Sequence, residues 1–89
     1  MWKGHRCSLQ YHNHKQETIY VLSGQLRIYT GSSEKTLSSK VYTPNETITL
    51  APGTIHRMEG VEDCIYLEAS TPQMEDVVRI EDDYNRTQS

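Results

Sequence analysis

Between Gln10 and Gly24 the chain reads Gln10-Tyr11-His12-Asn13-His14-Lys15-Gln16-Glu17-Thr18-Ile19-Tyr20-Val21-Leu22-Ser23-Gly24, and no other stretch restricts the fold as much. Gln10, His12 and His14 occupy alternate positions, so in a strand all three share one face. Glu17 opens a run rich in β-branched and aromatic side chains, which Ser23-Gly24 closes. Read as a bent β-hairpin, the stretch gathers several metal-binding side chains on one side. A two-residue loop, Lys15-Gln16, sets His14 against Glu17. A four-residue loop, Asn13 to Gln16, sets His12 against Glu17 and brings Gln10 into the set instead. Both geometries are compatible with the sequence.

The rest of the chain reads as short strands parted by turns. Glu17 to Leu22 and Gln25 to Thr30 alternate on either side of Gly24, which predicts a second hairpin with the glycine at a positive-φ position. Gly31 to Lys40 has Leu37 as its only large apolar residue and predicts a solvated loop. Val41-Tyr42 and Glu46 to Leu50 predict strands, and Pro52-Gly53 predicts a type II turn. Thr54 to Glu59 and Cys64 to Ala69 follow as strands, and Asp76 to Ile80 as a strand or single turn. Residues 1–7 predict an arm or part of a strand, and residues 82–89 a frayed tail. With hardly any helical periodicity, one all-β domain over residues 1–89, a barrel or sandwich, is expected.

Composition bears on partners and stability. At 89 residues with 35% apolar side chains, the chain has little hydrophobic material for a core, which favours a metal or a subunit interface as added support. A homodimer is expected on that ground. A formal charge of -3 without a basic stripe argues against nucleic acid as a partner. No apolar run reaches the length of a membrane span, and the opening Met1-Trp2-Lys3-Gly4-His5-Arg6 lacks the apolar stretch of a signal peptide, so no membrane association and a cytoplasmic location are expected. Cys7 and Cys64 then read as reduced thiols.

His12, His14, Glu17, His56 and Gln10 are the candidate metal ligands. Neutral imidazole and carboxylate suit one divalent ion of the Zn, Co, Mn, Fe or Ni group. Any one of these histidines alone would be an ordinary surface residue of an antiparallel sheet. The spacing, with Pro52-Gly53-Thr54-Ile55-His56 supplying a distant histidine, makes the combination a metal site. A His14 left out of the set would be free to move protons, since imidazole titrates near neutrality.

These residues resemble the cupin pattern: ligand residues, then Glu17, six residues and Gly24, and later Pro52-Gly53-Thr54-Ile55-His56. Closer still, Ser8 to Glu17, Val21 to Gly24, Pro52 to Arg57 and Glu75 to Arg86 resemble the C-terminal domain of type II mannose-6-phosphate isomerases, in register from Ser8 to Arg86. The resemblance implies a small jelly-roll β-barrel, short at its N-terminus, with a divalent metal in its mouth. It implies interconversion of mannose 6-phosphate and fructose 6-phosphate, with His14, Glu17 and Lys15 as catalytic candidates. Arg79, Arg57 and Lys15 are the implied cations for the phosphate, a guanidinium being able to bind it bidentately. Lys15 stands where the family usually has Arg, Asn85 replaces a Gly, and Thr18-Ile19 replaces His-Trp. The family's preceding strands are expected to be missing, leaving an open sheet edge for a second subunit. A non-catalytic module binding a sugar or sugar phosphate is the second functional reading, and a metal-dependent dioxygenase the third.

Overall fold

The computed structural model describes residues 1–71 in full and the backbone of residues 77–81. Eight strands follow one another: β1 (Leu9–His12), β2 (Glu17–Ser23), β3 (Leu26–Gly31), β4 (Ser38–Tyr42), β5 (Thr47–Leu50), β6 (Ile55–Gly60), β7 (Ile65–Ser70) and β8 (Val77–Glu81). They form a five-stranded sheet in the order β4-β3-β6-β1-β8 and a three-stranded sheet in the order β5-β2-β7. Every described pairing is antiparallel. No helix among the described residues is long and apolar enough to cross a membrane.

The two sheets close on a core whose residues come from alternate positions. Ile19 and Val21 of β2 and Leu50 of β5 meet Leu26 and Ile28 of β3, Tyr42 of β4 and Met58 of β6, with Cys64 at the end. Ile19, Val21, Leu26 and Ile28 are each at most 1% exposed, and full burial of such a side chain stabilises by about 1.5–3 kcal/mol. The core lies toward the Gly24 end of the sandwich. Toward the other end, the same inward positions are taken by Glu17, His12 and His56, all buried and all polar.

Two expectations change and a third is met. The predicted hairpins are not hairpins: β1 and β3 belong to the five-stranded sheet and β2 to the other, so both connections cross from sheet to sheet. Glu17 therefore faces β1 across the sandwich instead of pairing beside it. The predicted loop of residues 31–40 is partly strand, because the edge strand β4 needs only backbone bonds to β3 and tolerates Ser38, Ser39 and Lys40 on its surface. The segment expected as strand or turn near residue 80 is β8, which pairs with β1 and brings Arg79 opposite Gln10. The tail 82–89 lies outside the described residues.

The arm is joined to the sheets. Cys7 N–H donates to the Met58 carbonyl at 2.9 Å, Gly60 N–H to the His5 carbonyl at 2.9 Å, and the backbones of Arg6 and Glu59 form an isolated antiparallel β-bridge. Residues 5–7 thus extend the pairing that Gln10 and His56 begin. At the predicted type II turn, Gly53 has a φ of 85° and Thr54 N–H donates to the Ala51 carbonyl at 3.1 Å, which is the expected bond of that turn.

Candidate metal centre

Three polar side chains converge where the strands around the loop ends meet. His12 ends β1, Glu17 begins β2 and His56 is the second residue of β6. The Pro52-Gly53 turn helps bring them together: Gly53 N–H donates to the His12 carbonyl at 2.7 Å, so the start of β6 is tied to the end of β1. Gln10 lies directly opposite His56 in the sheet. Strand alternation then points Gln10, His12 and His56 to the inner face.

His12 Nε2 is 3.1 Å from Glu17 Oε1 and His56 Nε2 is 3.5 Å from the same oxygen. One ligating atom from each of the three lies within 4.8 Å of the others. The His12 and His56 rings are tilted by 36° with centroids 5.5 Å apart. His56 Nδ1 is 3.0 Å from the Thr54 carbonyl; only a ring N–H can bond a carbonyl, so the proton sits on Nδ1 and Nε2 presents its lone pair. That lone pair is buried, and neither it nor His12 Nδ1 has a hydrogen-bond partner. A buried acceptor left unsatisfied is costly. Two imidazoles and a carboxylate arranged in this way fit a divalent transition ion, whose binding would use the bare Nε2 of His56.

The electrostatics of the carboxylate agree with that use. With a second proton on its ring, His56 holds the Glu17 carboxyl well below the usual carboxylate range; burial opposes this, while a hydrogen bond with Glu68 and the positive charges of protonated His12 and His56 add to it. Lys15 Nζ stands 3.6 Å from Glu17 Oε2 and is half-buried. Glu68 moves the other way, raised to about 7 by its hydrogen bond to Glu17, by burial and by the repulsion of the Glu17 charge. When Glu68 holds its proton, the O–H donates to the Glu17 carboxylate.

The candidates from sequence separate into groups. His12, Glu17 and His56 come together, with Gln10 beside them, its Oε1 accepting from Ser8 Oγ at 3.2 Å. His14 is exposed in the 13–16 connection and is not among the three clustered ligands. The connection has four residues, which is the longer of the two geometries considered, although it joins two sheets. Arg57 is turned from the site: it follows His56 in β6, so its side chain lies on the opposite face of the sheet, where Nε donates to the Cys7 carbonyl at 2.9 Å and the side chain is buried. The backbone of Arg79 is opposite Gln10, while its side chain lies outside the described residues. Glu68 was not selected from the sequence. Its signal is parity: it lies two positions after Tyr66 and opposite Ile19, hence on the inner face of β7.

A cavity of about 440 Å³ adjoins the cluster at Gln10 and Glu68, with Ser8, Cys7, Met58 and Tyr66 among its other walls. Burial pushes the Tyr66 hydroxyl up to about 12, with further contributions from nearby Cys7, Glu68, Cys64 and Glu17.

No family model and no curated protein matches the sequence. Solved structures do match the fold. The capsular polysaccharide assembling protein CapF from Staphylococcus aureus superposes with a TM-score of 0.77 at 19% identity, over 90% of this chain and 26% of that one. KdgF from Halomonas sp. gives a TM-score of 0.73 at 16% identity, over 85% of this chain and 66% of that one. An oxalate oxidase gives 0.74 at 21% identity, over 90% and 42% respectively. The chain thus spans about a quarter of the CapF chain it matches. Likeness at these identities is one of fold, and the fold is the cupin jelly roll.

Proposed function

We propose that this chain is a metal-dependent cupin acting on a sugar phosphate, interconverting mannose 6-phosphate and fructose 6-phosphate or a closely related pair. The observation that carries the metal part is the buried, unpartnered Nε2 of His56 aimed at Glu17 and next to His12. His12, Glu17 and His56 would hold one divalent ion of the Zn, Co, Mn, Fe or Ni group, with Gln10 the nearest further donor. When bound, such an ion would polarise the carbonyl and hydroxyl oxygens of the sugar. The choice of a sugar phosphate rests on the sequence resemblance that runs from Ser8 to Arg86.

The chain's own residues supply the remaining parts. The adjoining cavity receives the sugar beside Gln10 and Glu68. Glu68 is placed to take and return a proton at its carboxyl, and His14, exposed in the connection before Glu17, is the other candidate. Lys15 and Arg79 are the cations for the phosphate, since Arg57 faces away.

The test is to load the protein in turn with Zn, Co, Mn, Fe and Ni and to measure fructose 6-phosphate formed from mannose 6-phosphate. Turnover with at least one metal, abolished by chelator, is the expected result. Absence of product with all five would overturn the isomerase reading; tight binding of the phosphosugar without turnover would put the non-catalytic sugar-binding reading in its place.

A further inference from the structure

Among the described residues, the large apolar side chains left exposed gather on one side. Trp2 is 68% exposed, Leu22 44%, Ile65 62% and Leu67 58%. Ile65 and Leu67 share the outer face of β7, because Tyr66 and Glu68 between them face inward. Leu22 stands at the irregularity where β2 passes Tyr66 and Ile65. Trp2 and Ile65 line one groove of about 500 Å³, together with Met1 and Cys64. Scattered single apolar residues are ordinary on a protein surface, but a contiguous group marks an interaction site.

The same place is a sheet edge. β7 ends the order β5-β2-β7. Met1 caps its start, the Met1 amino group donating to the Cys64 carbonyl at 2.7 Å and Cys64 N–H to the Met1 carbonyl at 2.8 Å. Beyond Cys64, no strand among the described residues pairs with that side of β7. An edge with apolar side chains and a single charge, Glu68, lacks the lysines, prolines and charges that ordinarily prevent edge pairing.

We propose that β7 pairs with β7 of a second copy of this chain, antiparallel about a two-fold axis through Leu67. The register follows from charge and length. Pairings that keep outer face with outer face are centred on Tyr66, Leu67 or Glu68. Centring on Glu68 opposes two carboxylates, which is unfavourable. Centring on Tyr66 requires partners for Cys64, where Met1 already sits. Centring on Leu67 opposes Leu67 with its own copy, Ile65 with Ala69 and Tyr66 with Glu68, using Ile65 to Ala69 with no like charges opposed. The two three-stranded sheets become one of six strands. A stable dimer buries about 800 Å² per partner, more than one edge strand supplies, so Trp2 and the groove beside Ile65 belong to the contact. The inference does not depend on the metal or the sugar phosphate.

Light scattering after gel filtration of the full chain, under reducing conditions, is the test. Wild type should elute with twice the chain mass of 10.3 kDa, and Leu67→Lys, which opposes two ammonium groups at the axis, should fall to the single-chain mass with unchanged far-UV circular dichroism. Leu67→Cys keeps the question answerable if the lysine variant fails to fold. On oxidation it should give a reducible dimer linked through position 67, since directly opposed strand residues lie within disulfide reach. Ile65→Cys alone should not link through position 65, whereas a mixture of Ile65→Cys and Ala69→Cys should link 65 to 69. A wild-type monomer, a dimer unaffected by Leu67→Lys, or linkage through Ile65→Cys as efficient as through Leu67→Cys would each overturn the proposal.

Discussion

Replacing Glu17 by Gln removes the charged ligand while keeping the shape of the side chain, so it isolates the carboxylate's contribution. Glu17 Oε1 is 3.1 Å from His12 Nε2 and 3.5 Å from His56 Nε2, which makes it the common neighbour of both imidazoles. A metal that binds only the folded chain stabilises it by about 2.7 kcal/mol at a hundred times its Kd. In a domain of this length each kcal/mol moves Tm by about 4–8 °C, so the expected rise is about 11–22 °C. Losing a charged contact of at least about 3 kcal/mol weakens binding about 100-fold. At the same metal concentration Glu17→Gln would then gain only about 0.4 kcal/mol, or about 2–3 °C. Thermal unfolding followed by circular dichroism, with metal and with chelator, reads both numbers, and the chelated variant serves as the folding control. An equal metal-dependent rise in the variant and the wild type would refute the assignment of Glu17.

Further outcomes follow from other parts of the structure. His14→Ala should change metal affinity by less than about threefold, or under 0.7 kcal/mol, in a competition titration with a chromophoric chelator, because the residue is exposed and outside the cluster; a loss like that of Glu17→Gln would restore it as a ligand. Gly24→Ala should cost about 2–4 kcal/mol in urea unfolding, since φ at Gly24 is 79° and a Cβ there meets the Asp63 carbonyl and Cys64; a change below about 0.5 kcal/mol would contradict that packing. Burial pushes the Tyr66 hydroxyl from its ordinary value of 10.0 up to about 12. Below pH 10 both states keep the proton; above it the unfolded chain loses its proton first, so up to about 2–3 kcal/mol of stability should disappear between pH 10 and 12. Tyr66→Phe should remove that component from the stability–pH curve, and an unchanged curve would show that the hydroxyl is solvated.

Much of the fold was legible because period-2 alternation specifies strands and buried faces directly. β5, β6 and β7 lie where the alternation placed them, and Pro52-Gly53 forms the turn its residue types favour. Pairing partners were less legible. The run from Gly24 looks locally like a hairpin turn, yet here it passes between sheets, with Gly24 against the backbone at Asp63 and Cys64; that contact is distant in sequence and leaves no local trace. At the site, His12, Glu17 and His56 were readable from spacing. The competition between Gln10 and His14 was not, because it depends on where β1 stops, and the strand ends at His12. Arg57, a cation that the resemblance implies for the phosphate, directly follows His56, and adjacent residues of a strand face opposite ways. Glu68 was overlooked because an acidic residue in a surface-exposed strand looks unremarkable until the partner across the sheet is known.

Anomalous X-ray scattering from a crystal grown with cobalt or zinc tests whether His12, Glu17 and His56 hold one cation. The expected result is a single strong peak about 2.0–2.2 Å from His56 Nε2, from a His12 ring nitrogen and from a Glu17 carboxylate oxygen. A stoichiometrically bound ion whose peak lies elsewhere, at His14 or His5 for example, would contradict it.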